Sequence, residues 1–374
     1  MLPIRVLHLA DIHIGMETYG RLDPETGING RVMDFLRRLS DVVDYAVDHE
    51  IDLVIFAGDA YKNQNPNPTY QREFARRMKR FADAGIPVVM LVGNHDLPAV
   101  ARRASSIDIF RTLDVAGITV AMSERLYQLT ARRGQVVQVA TVPYPLRSML
   151  FSRDDYKGKS IEELDRLLTE IMAENIRALA AQASQQPDLP TILVGHFNVS
   201  EAKQGSEQSV MIGRDVVVLK SVLADATWDY VALGHVHKHQ ELNGGAHPPI
   251  VYSGSLERID FGEEDEEKGF VVVEVTRGHA SWEFVPGYRR RARRFVTVRV
   301  DAREASDPTQ AVLDAIAARD VREAVVRIVV RLRQDQEESF REREVRRALN
   351  TAYFVAPISK QVDRLERQRL GNVA

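Results

Sequence analysis

Five short blocks place chemistry-bearing side chains at the ends of apolar runs. They are Asp11-x-His13, Gly58-Asp59, Gly93-Asn94-His95-Asp96, Gly195-His196 and Gly234-His235-Val236-His237. Together they offer carboxylate, amide and imidazole groups and no thiol. Hard or borderline divalent cations take that donor set, and two such ions side by side suit phosphate-ester hydrolysis. Cations about 3.5–4 Å apart repel strongly unless they share negative charge. A carboxylate can bridge them with its two oxygens, and Asp59 is the best candidate for that role. Asn94 adds a neutral amide oxygen. Asp11 and His13 are two apart, as are His235 and His237, so each pair can point one way from an extended segment.

No block is persuasive alone. A solitary D-x-H usually binds nothing, and G-D at a strand end is commonly a turn. G-N-H-D by itself is compatible with a tight turn holding Asn in a left-handed conformation. G-H-x-H is the strongest single piece. Five further histidines keep plain readings. His8 lies inside a strand-like run and reads as structural. His49, His247 and His279 read as exposed. His239 follows the last candidate ligand by two positions and is left out.

The elements that must position these groups alternate in the first half. Ile4–Ala10, Asp52–Ala57 and Pro87–Val92 are continuous apolar runs, read as buried strands. Between them, 29–50 and 69–84 have helical spacing. Their apolar positions are Val32, Phe35, Leu36, Leu39, Val42, Val43 and Ala46 in the first and Phe74, Met78 and Phe81 in the second. The Pro/Asn-rich stretch 63–68 is a loop. This β-α-β-α-β rhythm implies parallel strands with helices packed outside. Ligands gather beyond the carboxyl ends of the strands in such sheets, so distant blocks can converge on one rim.

After about residue 115, short strands are predicted at 118–122, 126–129 and 136–142. A long helix at 161–183 and strands at 191–194 and 229–233 follow. The segments 250–253, 270–275 and 281–285 read as a closing antiparallel set. The fold class is α/β, with a two-sheet αββα core flanked by helices. A boundary at Gly287–Arg294 (GYRRRARR) separates residues 1–286 from a small α+β domain at 287–374. Predicted there are strand 295–300, helix 308–318, strand 324–332, a charged helix 340–349 and a last helical stretch from Ser359.

The 374 residues allow two domains with ample core. No run of 18 apolar residues spans a membrane. Residues 1–6 lack a basic stretch, an apolar signal core and a cleavage site, and there are no cysteines. A cytoplasmic location is expected. Net charge is −3, but residues 288–374 carry 20 Lys/Arg against 13 Asp/Glu, a net of +7 on a body of net −10. That asymmetry fits either a surface that meets phosphates or solvated helix faces.

At this point the residues resemble the calcineurin-like metallophosphoesterases, and within them the Mre11/SbcD nuclease branch. VLHLADIHIG (6–15), VGNHD (92–96) and VYSGSLERIDFGEEDEEKGFVVVEV (251–275) carry the likeness. It spans nearly all of 1–285 and continues more weakly into the C-terminal region, which looks like that family's capping domain. The resemblance implies two divalent cations, typically manganese. One would be held by Asp11, His13, Asp59 and His237, the other by Asp59, Asn94, His196 and His235. His95 would contact the scissile phosphate and protonate the leaving oxygen, and Asp96 would orient the His95 imidazole.

It implies a DNA nuclease with 3′→5′ exonuclease and endonuclease activity, acting on ends, hairpins or single strands. A Rad50/SbcC-type ATPase would be the partner, with the nuclease as a homodimer. Helices 69–84 or 101–113 would supply dimer contacts unless their apolar residues belong to the core. Arg289–Arg294 would touch DNA phosphates unless it is a solvated linker. Some family members carry a histidine or an acid three positions after the bridging Asp. Here Lys62 stands there, as a replacement point charge. The segment that grips the ATPase is expected to be short or absent before Ala374.

Two rival readings share part of this pattern. A calcineurin-like phosphodiesterase or phosphatase on small nucleotides or phosphoesters would share every ligand. The S-G-S-L-E-R stretch and the basic annex argue against it. A non-catalytic DNA-end or ATPase docking subunit would have a decayed site, yet all seven expected metal-binding positions are filled.

Overall fold

The computed structural model describes residues 2–97, 104–146, 159–203, 205 and 216–363. The chain divides into two compact units. The first comprises Met1–Glu17, Arg21–Glu257 and Asp265–Ala292; the second comprises Thr18–Gly20, Arg258–Glu264 and Arg293–Ala374. Among the described residues no helix is long and apolar enough to cross a membrane.

The first unit begins with β1 (Ile4–Leu9), α1 (Gly30–Asp48), β2 (Leu53–Phe56), α2 (Pro68–Asp83), β3 (Val88–Leu91), α3 (Asp108–Thr112) and β4 (Ile118–Ala121). Next come β5 (Arg125–Thr130), β6 (Val136–Val142), α4 (Ile161–Ala183), β7 (Thr191–His196), β8 (Asn198–Val199) and β9 (Val217–Val218). It closes with α5 (Lys220–Leu223), β10 (Tyr230–Gly234), β11 (Gln240–Glu241), β12 (Ile250–Tyr252), β13 (Phe270–Thr276) and β14 (His279–Val285). The helices start where capping chemistry allows. Asn29 caps α1, and Asn67 with Pro68 opens α2. Ser160 and Glu163 form a capping box on α4.

Two six-stranded sheets result, ordered β14-β13-β1-β2-β3-β4 and β11-β12-β10-β7-β6-β5. Period-two alternation decides which side chain goes where. Ile4, Val6, Leu53, Ile55, Val89 and Leu91 turn inward and share a core with Val139, Ile192, Val194 and Ala232 of the other sheet. Leu7, Leu9, Val54, Phe56 and Met90 turn outward under α1 and α2. Leu193, Val231 and Leu233 turn outward under α4, with Trp228. The layering is therefore helix, sheet, sheet, helix. Each fully buried Leu, Ile, Val or Phe contributes about 1.5–3 kcal/mol relative to exposure.

The three segments expected as one antiparallel set separate. β12 pairs parallel with β10 in the second sheet, while β13 and β14 run antiparallel beside β1 in the first. A short apolar run reads alike in either setting, so pattern alone did not fix its partner. The apolar residues of α2, namely Tyr70, Phe74, Met78 and Phe81, belong to the unit's own core, as do Ile107 and Phe110. Ile109 and Leu113 are the large apolar residues of the second proposed dimer segment that are exposed among its described residues. His49 is half-buried rather than exposed, because its ring stacks on Tyr45 with centroids 3.9 Å apart.

The second unit adds β15 (Phe295–Asp301), α6 (Pro308–Ala317), β16 (Val325–Arg333), α7 (Glu342–Ala348), β17 (Phe354–Val355) and β18 (Ser359–Asp363). Its sheet centres on β16, which pairs parallel with β15, β17 and β18. The final stretch expected as helix is instead strand where it is described. Ser359 to Asp363 extend the β16 ladder from Val329 to Arg333, and pairing overrides weak helical preference. Residues 364–374 lie outside the described part.

The arginine run is paired internally. Arg289 lies 2.8 Å from Asp44 and 3.1 Å from Asp48, Arg290 pairs with Asp41, and Arg291 with Glu267. Arg293 and Arg294 pair with Glu323 and Asp320. The pairs with both members exposed, such as Arg291–Glu267 and Arg294–Asp320, add little stability. They do offset the charge that made the run look like a bare phosphate-binding strip.

Candidate dinuclear metal centre

Every block sits just past a parallel strand of the first unit, at its carboxyl end. Asp11 and His13 follow β1, Asp59 follows β2, and Asn94 and His95 follow β3. His196 ends β7, and His235 and His237 follow β10. Four of these residues hold left-handed backbone: Asp11 (φ 52°), His13 (φ 50°), Asp59 (φ 60°) and His235 (φ 98°). Non-glycine residues rarely stay there unless their surroundings enforce it, and such strain concentrates at functional sites. Main-chain bonds enforce it here. Asp11 N–H donates to the Gly58 carbonyl, while Ile12 and His13 donate to Asp59.

The side chains converge. His13 Nε2 faces His237 Nε2 at 3.0 Å. The Asn94 amide oxygen lies 3.0 Å from His196 Nε2 and 3.1 Å from His235 Nδ1. Asp59 Oδ2 lies between the two groups, 3.7 Å from His13 Nε2 and 3.3 Å from His196 Nε2. Both Asp11 oxygens accept the His235 N–H at 3.1 Å. Donor atoms of Asp11, His13 and His237, of His13, Asp59 and His95, and of Asp11, Asp59 and His196 gather closely enough for one ion per group. Asp11, His13, Asp59, His196, His235 and His237 are all buried. Two ring nitrogens aimed at each other, with carboxylates beside them, suit a cation better than any mutual hydrogen bond. Two carboxylates, four imidazoles and one amide match borderline divalent ions.

The surroundings set the protonation states. Burial holds His13 well below the ordinary imidazole value, despite the pull of Asp59, so the ring is neutral. Burial pushes the Asp59 carboxyl up, but His196, His13 and His95 more than offset that and hold it ionised. His196 is lowered by burial and raised further by Asp59, Asp11 and the Ala57 carbonyl, to about 9. The negative field that keeps a proton on that ring equally attracts a metal ion. His196 Nδ1 donates to the Ala57 carbonyl at 2.6 Å, which leaves Nε2 turned toward the centre.

His95 differs from the others in being exposed. Its main-chain N–H donates to Asp59 Oδ1 at 2.9 Å, and Nδ1 donates to the Lys62 carbonyl at 2.8 Å. The Lys62 backbone, and not Asp96, orients this imidazole. The Asp96 carboxylate is fully buried and accepts from the main-chain N–H groups of Ala60, Tyr61 and Gly93 at 3.1–3.2 Å. Burial, helped by the charge of Asp59, raises its pKa to about 7. Asp96 thus fastens the loop after β2 to the loop after β3. The sequence showed an acid beside His95 but could not show that its oxygens turn inward.

Glycines set how closely the loops approach. At Gly93 a Cβ would collide with Oδ1 and the main chain of Asp59. At Gly58 (φ 101°) it would strike the His196 ring. The 253–258 stretch, whose role was unassigned in the sequence, backs His237: Ser255 N–H donates to the His237 carbonyl at 3.0 Å.

This fold and this centre define a metal-dependent phosphoester hydrolase. Residues 4–239 match the calcineurin-like phosphoesterase family, and the chain belongs to it. Among its relatives is the SbcD component of the SbcCD nuclease of Bacillus subtilis, 28% identical over 290 residues, which span 75% of this chain and 69% of that protein. The corresponding SbcD of Escherichia coli K12 is 28% identical over 283 residues, 74% of this chain and 66% of that one. The DNA double-strand break repair protein Mre11 of Archaeoglobus fulgidus is 26% identical over 291 residues, 73% of this chain and 58% of that one.

Proposed function

We propose that this chain is a manganese-dependent DNA nuclease, cleaving phosphodiesters as exonuclease and endonuclease at ends or hairpins. It would serve as the nuclease subunit of a complex with a Rad50/SbcC-type ATPase, as a homodimer. The relatives' names support the DNA substrate and the partner. The observation that carries the reading is Asp59 Oδ2, shared between His13 at 3.7 Å and His196 at 3.3 Å.

In this reading Asp11, His13, Asp59 and His237 hold one cation, and Asp59, Asn94, His196 and His235 hold the other. When bound, such a pair lowers the pKa of the attacking water and screens charge on the phosphate oxygens. The chain's own residues supply the rest. Asp59 keeps its negative charge between the two groups. The Ala57 carbonyl fixes the tautomer of His196. The exposed His95, held through Nδ1, presents Nε2 to the phosphate and hands a proton to the leaving oxygen. The capping-like residues 287–374 would contribute to DNA contact.

Cleavage of linear and hairpin DNA with manganese, magnesium or chelator tests this against bis-p-nitrophenyl phosphate as a small-ester control. DNA cleavage that needs manganese and stops with chelator is expected. Rapid small-ester hydrolysis with intact DNA would overturn the nuclease reading.

A further inference from the structure

Lys268 stands out among buried groups that the chemistry above leaves unused. It is 2% exposed, at the entry to β13, in the stretch that follows S-G-S-L-E-R. Burying an ammonium is unfavourable unless it is paired and hydrogen-bonded. Lys268 Nζ lies 2.7 Å from Glu266 Oε2 and donates to the His237 carbonyl at 3.1 Å. That carbonyl also takes the Ser255 N–H. Gly254 (φ 72°) presses on the same turn, where a Cβ would lie 2.7 Å from the His237 oxygen and 2.7 Å from His239 N. Lys268 is itself anchored, because its carbonyl accepts from Arg38 Nη2 of α1 at 3.2 Å. The His237 main chain is therefore gripped on one side while its ring faces His13 on the other.

We propose that Lys268 is a positioning residue for a divalent cation. It fixes the main chain of His237 so that the imidazole stays opposite His13, and it thereby sets the affinity of that half of the centre. The proposal rests on the two-cation reading. It predicts a loss confined to the half containing His13 and His237, with the half containing His196 and His235 unaffected. Ligand-orienting partners of this kind typically change metal affinity by about 10–100-fold.

The test is manganese titration calorimetry on the metal-free chain of residues 1–374, with the melting temperature measured alongside. The unmodified chain is expected to bind two ions. Lys268→Met is expected to keep its fold, bind one ion normally and bind the other about 10–100-fold more weakly. Its DNA cleavage is expected to recover as manganese is raised, and Lys268→Arg is expected to restore part of the affinity. Should Lys268→Met not fold, Lys268→Gln, too short to reach the carbonyl, carries the same readout. Unchanged affinity for both ions, or a lowered melting temperature with affinity intact, would overturn the proposal. Failure of the unmodified chain to bind manganese at all would overturn the two-cation reading itself.

Discussion

The main-chain N–H of His95 donates to Oδ1 of Asp59 at 2.9 Å. The exposed imidazole that would serve the leaving group is thus tied to the buried carboxylate that would bridge the ions. Two chemical tasks share one hydrogen bond. Variants at Asp59 accordingly need two forms. Asp59→Asn keeps an acceptor for His95 but removes the charge; Asp59→Ala removes both. Both are expected to lose metal and cleavage together, and Asp59→Ala alone should also loosen the His95 loop. Metal content and backbone NMR shifts of residues 94–97 check this.

His95→Ala separates catalysis from metal binding. The ring is exposed and its Nδ1 donates to the Lys62 carbonyl, although it also borders the donor atoms of His13 and Asp59. Both ions should remain while cleavage falls about 10²–10⁴-fold, the usual worth of a positioned general acid. Metal stoichiometry on the variant decides the assignment. An emptied centre would make His95 a ligand instead.

Gly93→Ala tests close packing of the loops. The added methyl would meet Oδ1 and the main chain of Asp59. Overpacking of this kind costs about 1–3 kcal/mol. A lowered denaturation midpoint with weakened metal binding is expected. Wild-type values in both measurements would show that the loops have room to spare.

His8 predicts an acid-side weakness remote from catalysis. It is fully buried, and its Nδ1 lies 3.0 Å from the Tyr230 hydroxyl. Burial lowers its pKa from 6.5 to about 3. The unfolded chain therefore binds a proton that the folded chain refuses. The contribution of His8 is complete above pH 6.5 and is lost as pH falls toward 3, at about 1.4 kcal/mol per pH unit. Urea unfolding at pH 4, 5, 6 and 7 should show a shallower pH slope for His8→Phe than for the unmodified chain. Equal slopes would remove His8 as the cause.

The parallel strands and the convergence of the seven donors were legible in the sequence. Each donor closes a buried apolar run, and strand ends on one rim meet. Three features needed coordinates. Asp96 reads as a catalytic neighbour of His95, yet its oxygens answer to Ala60, Tyr61 and Gly93. Orientation of a side chain across a turn is not encoded in spacing. β12 and β18 found parallel partners that local pattern does not specify. The arginine run looked bare because its carboxylate partners, such as Asp41 and Asp320, are distant in sequence.

The most direct measurement is the anomalous scattering of crystals grown with manganese. Two peaks about 3.5–4 Å apart are expected, with the Asp59 carboxylate between them. His13 and His237 should be on one, with Asn94, His196 and His235 on the other. A single peak, or peaks that leave Asp59 outside both coordination spheres, would contradict it.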